Sequence, residues 1–348
     1  MQRALELALL GKGSVSPNPM VGCVIVHDDK IIGEGWHQKY GAEHAEVAAL
    51  NSVKDKHLLK DATAYVTLEP CAHHGNTPPC ADRLVAEKVK KVIICNTDPN
   101  PLVNGKGIEK LKNAGIAVDL DFLSAEGKQL NKRYFSFTQK KRPYIILKWA
   151  ETADGFIAKT NYDSKWISNA LSRKMVHQWR AEEDAILVAT NTAHYDNPRL
   201  NVRNWKGENP IRIVIDRNLR LDSDLNLFDG SQQTICYNLK KNSSRKNIAF
   251  VKLTNDRFFE LLFEDLYKRK ILSVIIEGGA EILSSLIRKN LWDEARVFKS
   301  LVKFEAGIAA PNMDRKYVIQ EQEILDNMLS IYENNASEFR ETPGQVRG

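Results

Sequence analysis

The chain alternates between two patterns of hydrophobic and polar positions. Short runs rich in β-branched and aromatic residues predict strands, because these side chains pack well on a pleated sheet. Stretches with apolar residues at three- and four-residue spacing predict amphipathic helices. In the first part of the chain we predict strands at 21–26, 31–36, 64–68, 91–95 and 116–119, and helices at 2–10, from about Cys80, and at 107–114. Because strands alternate with helices, this part should form a layered α/β domain.

A polar and basic stretch at residues 139–143 interrupts this pattern, and a second α/β pattern follows it. The length of 348 residues also favours two domains, since single domains typically have about 50 to 200 residues. We therefore place one domain at 1–139 and another at 140–348. In the second we predict strands at 144–148, 185–189, 212–216, 234–237, 273–277 and 295–298, and helices at 169–182 after a capping Ser168, at 257–269 and at 280–289.

One imidazole, two thiols and a carboxylate are gathered in the first domain. His44 and Glu46 are two residues apart, Cys71 follows a predicted strand, and Cys80 opens a predicted helix. A zinc ion on three such ligands keeps a fourth position for water and lowers the pKa of that water to about 7. We therefore predict a catalytic zinc on His44, Cys71 and Cys80, with Glu46 as the proton carrier. The pattern is typical of zinc deaminases of nucleobases, although eight residues rather than two separate the cysteines here.

Other interpretations of these residues stay open. A His-x-Glu pair alone is commonly a helix start with a solvated acid, and single cysteines are commonly buried apolar residues. A purely structural zinc is a further alternative. His73 and His74 lie between the two cysteines and are rival ligands, although we expect them to face substrate phosphate or backbone.

Composition narrows the class of protein. Hydrophobic residues make up 43% and charged residues 27%, as in globular proteins. No apolar run approaches the roughly 20 residues that span a membrane, and the first residues lack a signal-peptide layout, so we expect a cytoplasmic protein.

Five cysteines without regular spacing argue against a disulfide framework, and we expect Cys23, Cys95 and Cys236 in the core. The net charge is +6, but residues 1–139 are close to neutral, which argues against a nucleic-acid enzyme.

Four further residues, in three parts of the sequence, suggest ligand contacts. Asn18 stands between two prolines, so it is either a turn residue or an amide held to read a pyrimidine or a ribose. Gly278 and Gly279 join a strand to a helix whose first backbone N–H groups can face a phosphate, although such a pair is often only a tight turn. Arg217 follows a strand end, where an arginine can meet the 2'-phosphate of NADP, or else lies on the surface.

Longer motifs occur in both halves. In the first half they are Pro17-Asn-Pro-Met-Val-Gly22, His44-Ala-Glu46, Thr67-Leu-Glu-Pro-Cys71, Thr77-Pro-Pro-Cys80 and Asp98-Pro-Asn-Pro101. In the second half they are Leu147-Lys148, Asp154-Gly155, Ser164-Lys-Trp-Ile167, Asp196-Asn-Pro198, Arg212-Ile-Val-Ile-Asp216 and Glu277-Gly-Gly279. Through these motifs the chain resembles the bifunctional pyrimidine deaminase-reductases of riboflavin biosynthesis over nearly its whole length. The long spacing between the two cysteines is also what this family shows.

The resemblance implies a cytidine-deaminase-like three-layer α/β/α domain followed by a dihydrofolate-reductase-like α/β domain. It implies zinc-dependent hydrolytic deamination of 2,5-diamino-6-(5-phosphoribosylamino)pyrimidin-4-one, then NADPH-dependent reduction of the ribosyl chain to give 5-amino-6-(5-phosphoribitylamino)uracil. The positions that match the family's NADPH site are Ala150, Trp166, Thr192, Asp196, Gly279, Ala280, Glu281, Ile282, Leu283, Ser284 and Ser285. Those that match its substrate site are Ser164, Arg180, Leu200, Arg203 and Glu277.

Three features depart from the family's pattern. The chain begins almost directly at Arg3, without the few residues that usually precede that helix, which leaves open a start further upstream. Asn76 stands where a basic residue is common. Residues 299–305 differ from the pattern usual there, which leaves the edge of the reductase site open.

Two rival functions are weighed against this interpretation. A deaminase of nucleic-acid bases would share the zinc chemistry but should show a basic surface. Alternatively, the second half could sense NADPH or a pyrimidine nucleotide without turning it over. The preferred interpretation expects one zinc per deaminase domain, NADPH, a small pyrimidine ribosylamine phosphate as substrate, no nucleic acid, no membrane and a homo-oligomer.

Overall fold

The structure, a computed structural model, describes residues 1–72, 78–165 and 167–334. Five positions named above lie outside these ranges, namely His73, His74, Asn76, Thr77 and Trp166. Contacts divide the chain into two compact units, Met1–Arg142 and Pro143–Gly348, called here the first and the second unit. In the ranges described, no helix has both the length and the apolar character needed to cross a membrane.

In residues 1–72 and 78–142, the first unit forms a five-stranded sheet with the order β2-β1-β3-β4-β5. β1 is antiparallel to β2 and β3, whereas β3, β4 and β5 are parallel. The strands are β1 (Gly22–His27), β2 (Lys30–Trp36), β3 (Thr63–Val66), β4 (Lys91–Ile94) and β5 (Ala117–Asp119). The helices are α1 (Gln2–Leu9), α2 (Ala45–Ser52), α3 (Cys80–Ala86), α4 (Lys106–Asn113), α5 (Ser124–Leu130) and α6 (Lys132–Lys140).

Different helices cover the two faces of this sheet, because successive side chains along a strand point to opposite sides. Cys23 and Ile25 of β1 pack in one core with α2, α3 and α4. Val24, between them, packs against Ala4 and Leu7 of α1 on the other face. The predicted three-layer α/β/α arrangement is therefore confirmed.

A glycine lets α2 approach the sheet closely. A Cβ atom on Gly35 of β2 would lie 2.3 Å from the backbone nitrogen of Ala49 and 2.6 Å from the carbonyl oxygen of Ala45. Real Cβ atoms do not approach backbone atoms this closely, so a larger residue would push the helix away. Since α2 begins directly after His44, this packing sets the position of His44 and Glu46.

In residues 143–165 and 167–334, the second unit has a ten-stranded sheet, ordered β11-β12-β10-β9-β8-β13-β6-β14-β17-β16, and a small β7–β15 pair. Its strands are β6 (Tyr144–Glu151), β7 (Phe156–Ala158), β8 (Ala185–Ala189), β9 (Ile211–Ile215), β10 (Thr234–Asn238), β11 (Ser243–Arg245), β12 (Ile248–Lys252), β13 (Ser273–Glu277), β14 (Glu294–Ser300), β15 (Ile308–Ala309), β16 (Val318–Ile324) and β17 (Asn327–Glu333). Its helices are α7 (Ala170–Glu182), α8 (Thr190–Asp196), α9 (Phe258–Lys268) and α10 (Ala280–Arg288).

The strands from β12 to β14 along this sheet are parallel, and β11, β17 and β16 add antiparallel edges. Leu262 of α9 and Leu286 of α10 pack in the core on one face. Val176 and Trp179 of α7 pack in the core on the other face. Parallel strands end at one edge of a sheet, so their following loops meet there and can build a site.

The predicted elements of the second domain are present, with ends shifted by up to three residues. One prediction was wrong: the cap of α7 is Asn169, whose side-chain oxygen accepts the N–H of Ser172 at 2.8 Å, and not Ser168. The sequence pattern also missed α5, α6, α8, the strands β7, β11, β12 and β15, and the β16–β17 hairpin. Helix α8 is rich in Thr, Asn and Asp, which are weak helix formers, and β16 exposes mostly polar side chains.

Candidate functional site

The three predicted zinc ligands lie together in the first unit. His44 is the N-cap residue of α2, Cys71 lies in the loop after β3, and Cys80 is the first residue of α3. His44 Nδ1 lies 3.1 Å from Cys80 Sγ and 3.6 Å from Cys71 Sγ, and all three ligand atoms are within 4.8 Å of one another. Outside residues 73–77, 166 and 335–348, no other group of three such side chains is close enough to hold a metal ion.

The contact between the two thiols shifts their pKa values in opposite directions. The hydrogen bond between them, together with the one to His44, lowers the pKa of the Cys71 thiol to about 4, and the same contact raises the pKa of Cys80. The backbone N–H of Cys80 also donates to Cys71 Sγ at 3.3 Å, which favours the thiolate. Two sulfurs and one imidazole nitrogen are a known donor set for zinc with an open fourth position. The residues present therefore fit a zinc ion.

Glu46 lies beside the ligands in the first turn of α2 and is only 3% exposed. Burial, and then the negative charge of Cys71, raises the pKa of this carboxyl to about 7. A carboxyl group in this range can both release and take up a proton near neutral pH. The side chain is thus suited to carry protons at the ligand group.

A second histidine, His37, links Asn18 to this group. His37 Nδ1 lies 2.9 Å from the carbonyl oxygen of Glu43 and so carries the ring proton, which leaves Nε2 to accept from the side-chain amide of Asn18 at 3.1 Å. Burial lowers the pKa of His37, in keeping with a neutral ring. The ring meets that of His44 edge-on, with centroids 5.6 Å apart. Sequence reasoning missed His37, whose one signal is its position directly after the strand predicted at 31–36.

Glu69 holds together the backbone behind the cysteine loop. Its carboxylate accepts backbone N–H bonds of 2.9 to 3.3 Å from Asp98, Gly105, Gly107 and Ile108. Gly107 passes so close that a Cβ atom there would lie 2.0 Å from the carbonyl oxygen of Pro70. Because Pro70 directly precedes Cys71, this packing positions the backbone of a zinc ligand.

The second unit has a cavity of about 1120 Å³ at the carboxyl ends of β6, β8, β9 and β13 and the start of α10. The lining includes most of the residues proposed for a cofactor, namely Ala150, Thr192, Asp196, Arg217, Gly279, Ala280, Glu281, Ile282 and Ser285. Leu283 is instead fully buried in the core, and Ser284 is not part of the lining. Successive helix residues point in different directions, so an unbroken run such as 279–285 cannot face a single ligand.

Two glycines lead into α10. Gly278 and Gly279 have φ angles of 83° and 85°, in the left-handed region that favours glycine. A Cβ atom on Gly278 would lie 2.8 Å from Thr192 Oγ1, and one on Gly279 would lie 2.8 Å from Ala189 Cβ. Glycine is thus required at both positions, by the backbone conformation and by the lack of space for a side chain. It leaves the first backbone N–H groups of α10 at the cavity, where they can bind an anion.

Glu277, Arg180 and Lys148 form a buried charged cluster on the cavity wall. Arg180 donates two hydrogen bonds to Glu277, at 3.1 Å from Nε and 2.8 Å from Nη2, and Lys148 Nζ lies 3.8 Å from the same carboxylate. Burial alone would raise the pKa of Glu277, but the charges of Arg180 and Lys148 outweigh it and hold this pKa at about 2. Burial also lowers the pKa of Lys148. Lys148 was not among the predicted site residues, although it lies in a quoted motif.

A basic side pocket of about 400 Å³ adjoins the cavity. Arg199 and Arg203 line only the side pocket. The residues common to both spaces are Ser164, Arg180, Asp196, Pro198 and Leu200. Of the positions matched to a substrate site, Glu277 lines only the cavity and Arg203 only the side pocket, whereas Ser164, Arg180 and Leu200 line both.

Both halves of the chain match known families. Residues 1–96 match the cytidine and deoxycytidylate deaminase zinc-binding region, and residues 143–300 match the RibD C-terminal domain. The riboflavin biosynthesis protein RibD of Aquifex aeolicus is 40% identical over 304 residues, which cover 86% of this chain and 85% of that protein. The chain belongs to the RibD family.

Other RibD proteins and solved structures agree with this assignment. Escherichia coli RibD is 37% identical over 317 residues, covering 86% of each chain. A diaminohydroxyphosphoribosylaminopyrimidine deaminase/5-amino-6-(5-phosphoribosylamino)uracil reductase from Thermotoga maritima is 36% identical, with a TM-score of 0.87 over 96% of this chain and 97% of that one. Acinetobacter baumannii RibD is 33% identical, with a TM-score of 0.87 over 95% and 97%.

This RibD-family chain is therefore a bifunctional deaminase and reductase of riboflavin biosynthesis. It has a zinc-binding deaminase domain, and its reductase domain indicates a nicotinamide cofactor. The predicted family, the two fold types and the two enzyme classes are confirmed. The alternative function, deamination of nucleic-acid bases, is not supported, because residues 143–300 match the RibD C-terminal domain.

Arg217 of this RibD-family chain lines the cavity and is held in place by two contacts. Its Nη1 donates to Asn255 Oδ1 at 2.9 Å, and its guanidinium lies over the ring of Phe258, 4.5 Å from the centroid. A guanidinium has five N–H donors, so one such bond leaves it able to bind an anion. Its orientation at the cavity is defined before any ligand binds.

The segment 299–305, expected to differ from the family's pattern, is hydrogen-bonded to Asp154 in the loop between β6 and β7. The carboxylate of Asp154 accepts the backbone N–H groups of Phe304 at 3.1 Å and Glu305 at 2.8 Å. β15 then pairs with β7, and Ile308 of β15 lines the cavity. The segment 299–305 is thus connected to the strand pair beside the cavity, although none of its residues lines the cavity.

Proposed function

We propose that this chain converts 2,5-diamino-6-(5-phosphoribosylamino)pyrimidin-4-one to 5-amino-6-(5-phosphoribitylamino)uracil in two steps. Residues 1–139 would carry out the hydrolytic deamination and residues 140–348 the NADPH-dependent reduction. The observation that carries the proposal is one RibD-family chain that has both a His-Cys-Cys ligand group beside a buried glutamate and a cavity with a buried charged cluster. The Thermotoga maritima protein, similar over most of its length, is named for these two activities.

In the first unit, a zinc ion on His44, Cys71 and Cys80 would supply a Lewis acid that lowers the pKa of water. Glu46 would take a proton from the water and give it to the departing amine, so that a C–O bond replaces a C–N bond and ammonia leaves. Asn18, whose amide is oriented by His37, would hydrogen-bond the pyrimidine ring. The close packing of α2 on the sheet would fix the positions of His44 and Glu46 relative to the other ligands.

In the second unit, the basic side pocket suits the phosphate of the substrate. Arg180, Arg199 and Arg203 line it, and guanidinium groups bind phosphate through paired charge-assisted hydrogen bonds. Glu277 remains ionised at neutral pH because of its low pKa, so it can accept hydrogen bonds from ribosyl hydroxyls. The cofactor supplies the hydride, and these side chains bind and orient the acceptor carbon.

The proposal of NADPH rather than NADH depends on the start of α10 and on Arg217, which both line the cavity. The first N–H groups of α10 would receive the pyrophosphate. Arg217 would pair with the 2'-phosphate, which only NADPH carries. Its hydrogen bond to Asn255 supports this, because a guanidinium already held in place loses less freedom on binding.

Two broader expectations remain proposals. A cytoplasmic location suits a metal site that needs two reduced thiols. The homo-oligomer expected from the resemblance remains a prediction, which light scattering on the eluted protein would test.

The decisive experiment is incubation of the pure protein with the diaminopyrimidinone substrate, followed by identification of the products. Without NADPH we expect ammonia and the deaminated ribosylamine, and with NADPH the ribitylaminouracil. After dialysis against a zinc chelator, the protein should no longer release ammonia but should still oxidise NADPH with the already deaminated compound. Absence of ammonia release from zinc-loaded protein contradicts the first step, and absence of NADPH oxidation with the deaminated compound contradicts the second.

A further inference from the structure

Two tyrosines stack on each other at the wall of the second unit's cavity. Tyr162 lies in the loop 159–165 and Tyr195 in α8, with ring centroids 4.3 Å apart and planes only 3° apart. Both line the cavity. His194 adds an edge contact to Tyr195, with centroids 4.9 Å apart. Aromatic pairs at such distances attract each other beyond the apolar area that they bury.

The backbone at Tyr162 is held in a conformation that does not suit a tyrosine. Its φ of 68° lies in the left-handed region that favours glycine, and its N–H donates to the carbonyl oxygen of Lys159 at 2.9 Å. Glycine would make the same turn without strain. The turn therefore does not explain a tyrosine at this position, whereas the contact of its ring with Tyr195 does. Strained residues of this kind tend to occur at functional sites.

The stack lies next to a polar contact between the same two segments. Ser164 Oγ is 3.4 Å from the carboxylate of Asp196, so the loop meets α8 at this point as well. Ser164 is two residues from Tyr162 and Asp196 is one residue from Tyr195. Both polar residues line the cavity and the side pocket. The rings are thus the apolar half of one junction between the loop and the helix.

We propose that Tyr162 and Tyr195 are positioning residues of the reductase site. Their stacked rings hold the loop 159–165 against α8 and so place Ser164 where the cavity and the side pocket meet. The inference rests on the proposed function and on the match of Ser164 to the family's substrate site. Stacking uses the ring faces, so phenylalanine at either position should preserve it, whereas an aliphatic side chain or glycine should not.

The first test needs no substrate. Lys159 and Lys165 bound the loop and are exposed, so trypsin can report how often the loop opens. In Tyr195→Leu the loop sequence is unchanged, and we expect cleavage after Lys159 and Lys165 to be about 3- to 10-fold faster than in the wild type. Tyr195→Phe should be cleaved at the wild-type rate.

Tyr40→Leu is the matched control, because Tyr40 is as exposed as Tyr195, at 53%, but belongs to the first unit. It should leave both cleavage rates unchanged. Wild-type cleavage rates in Tyr195→Leu would overturn the inference.

The second test uses Tyr162→Gly, which removes both the ring and the backbone strain. We expect KM for the already deaminated substrate to rise about 3- to 10-fold, while kcat and the NADPH dissociation constant change less than twofold. The unfolding temperature should change little, because relief of the backbone strain offsets the lost ring contact. Tyr162→Phe should restore the wild-type KM.

A wild-type KM in Tyr162→Gly would overturn the inference, and so would a parallel loss of NADPH affinity and unfolding temperature, which signals general damage. Failure of the proposed function looks different. The wild type itself would then not reduce the deaminated compound, while the trypsin rates would still decide whether the stack holds the loop.

Discussion

Replacing Glu277 by glutamine removes the negative charge from the cluster with Arg180 and Lys148 and keeps the shape of the side chain. The ordinary pKa of the carboxyl is 4.5, and the cluster holds it at about 2 in the folded protein. A difference of this size between the folded and the unfolded chain corresponds to about 3 kcal/mol of stability at pH 7. Loss of one partner from a buried ion pair typically destabilises by a similar amount, about 3 to 5 kcal/mol.

The sign of the pH dependence follows from the lowered pKa. A group with a depressed folded pKa stabilises fully above its unfolded pKa, and the effect is lost as pH falls through the folded value. The free energy of unfolding of Glu277→Gln should therefore lie about 3 kcal/mol below that of the wild type at pH 7 and pH 5. At pH 3 the difference should shrink to about 1.4 kcal/mol.

The assay is urea unfolding at these three pH values, followed by tryptophan fluorescence. Five of the six tryptophans fall within Pro143–Gly348, so the signal reports mainly the second unit. Glu321→Gln is the control, because Glu321 pairs with Arg315 on the surface and exposed ion pairs contribute little. A deficit that stays constant from pH 7 to pH 3 would assign the loss to packing rather than charge. No deficit at pH 7 would refute the reasoning.

Four other perturbations test the two sites. Metal analysis of the freshly purified protein should find one zinc per chain, and the Cys80→Ser variant should contain none. A wild-type protein without zinc would contradict the assignment of His44, Cys71 and Cys80 as zinc ligands. Glu46→Gln should keep the metal while deamination falls about 10²- to 10⁴-fold, so near-normal ammonia release would remove this carboxyl from the mechanism. Arg217→Ala should weaken NADPH binding by about 1.5 to 3 kcal/mol in a fluorescence titration and spare NADH, whereas equal losses would contradict a 2'-phosphate contact. Gly107→Ala, whose new methyl group would meet Pro70, should lower the zinc content and the unfolding temperature of the first unit together, and unchanged values would show that the backbone can yield.

The zinc ligands could be predicted because metal chemistry restricts both residue type and location. Few side chains bind zinc, and His44, Cys71 and Cys80 stand at the starts of helices or after a strand, where chain segments converge. His37 and Lys148 carry no such pattern. Their roles arise from contacts between elements distant in sequence, which spacing alone does not encode.

For the fold as well, sequence patterns predict single elements but not the contacts between distant elements. Strands rich in Val and Ile could be placed from sequence because burial on both faces demands such residues. Ser168 and Asn169 are both good capping residues, and only the geometry of α7 selects the second. Arg180 and Glu277, 97 residues apart in the chain, could be matched to a family, but their mutual hydrogen bonds become visible only in the folded unit.

The wall common to the cavity and the side pocket has a thermodynamic consequence. Because Ser164, Arg180, Asp196 and Leu200 border both spaces, a ligand bound in one space would contact groups that a ligand in the other space would also contact. Their equilibria are then linked, so the factor by which cofactor alters substrate affinity must equal the factor by which substrate alters cofactor affinity. An affinity measured with one space empty therefore describes a different complex from the one that reacts.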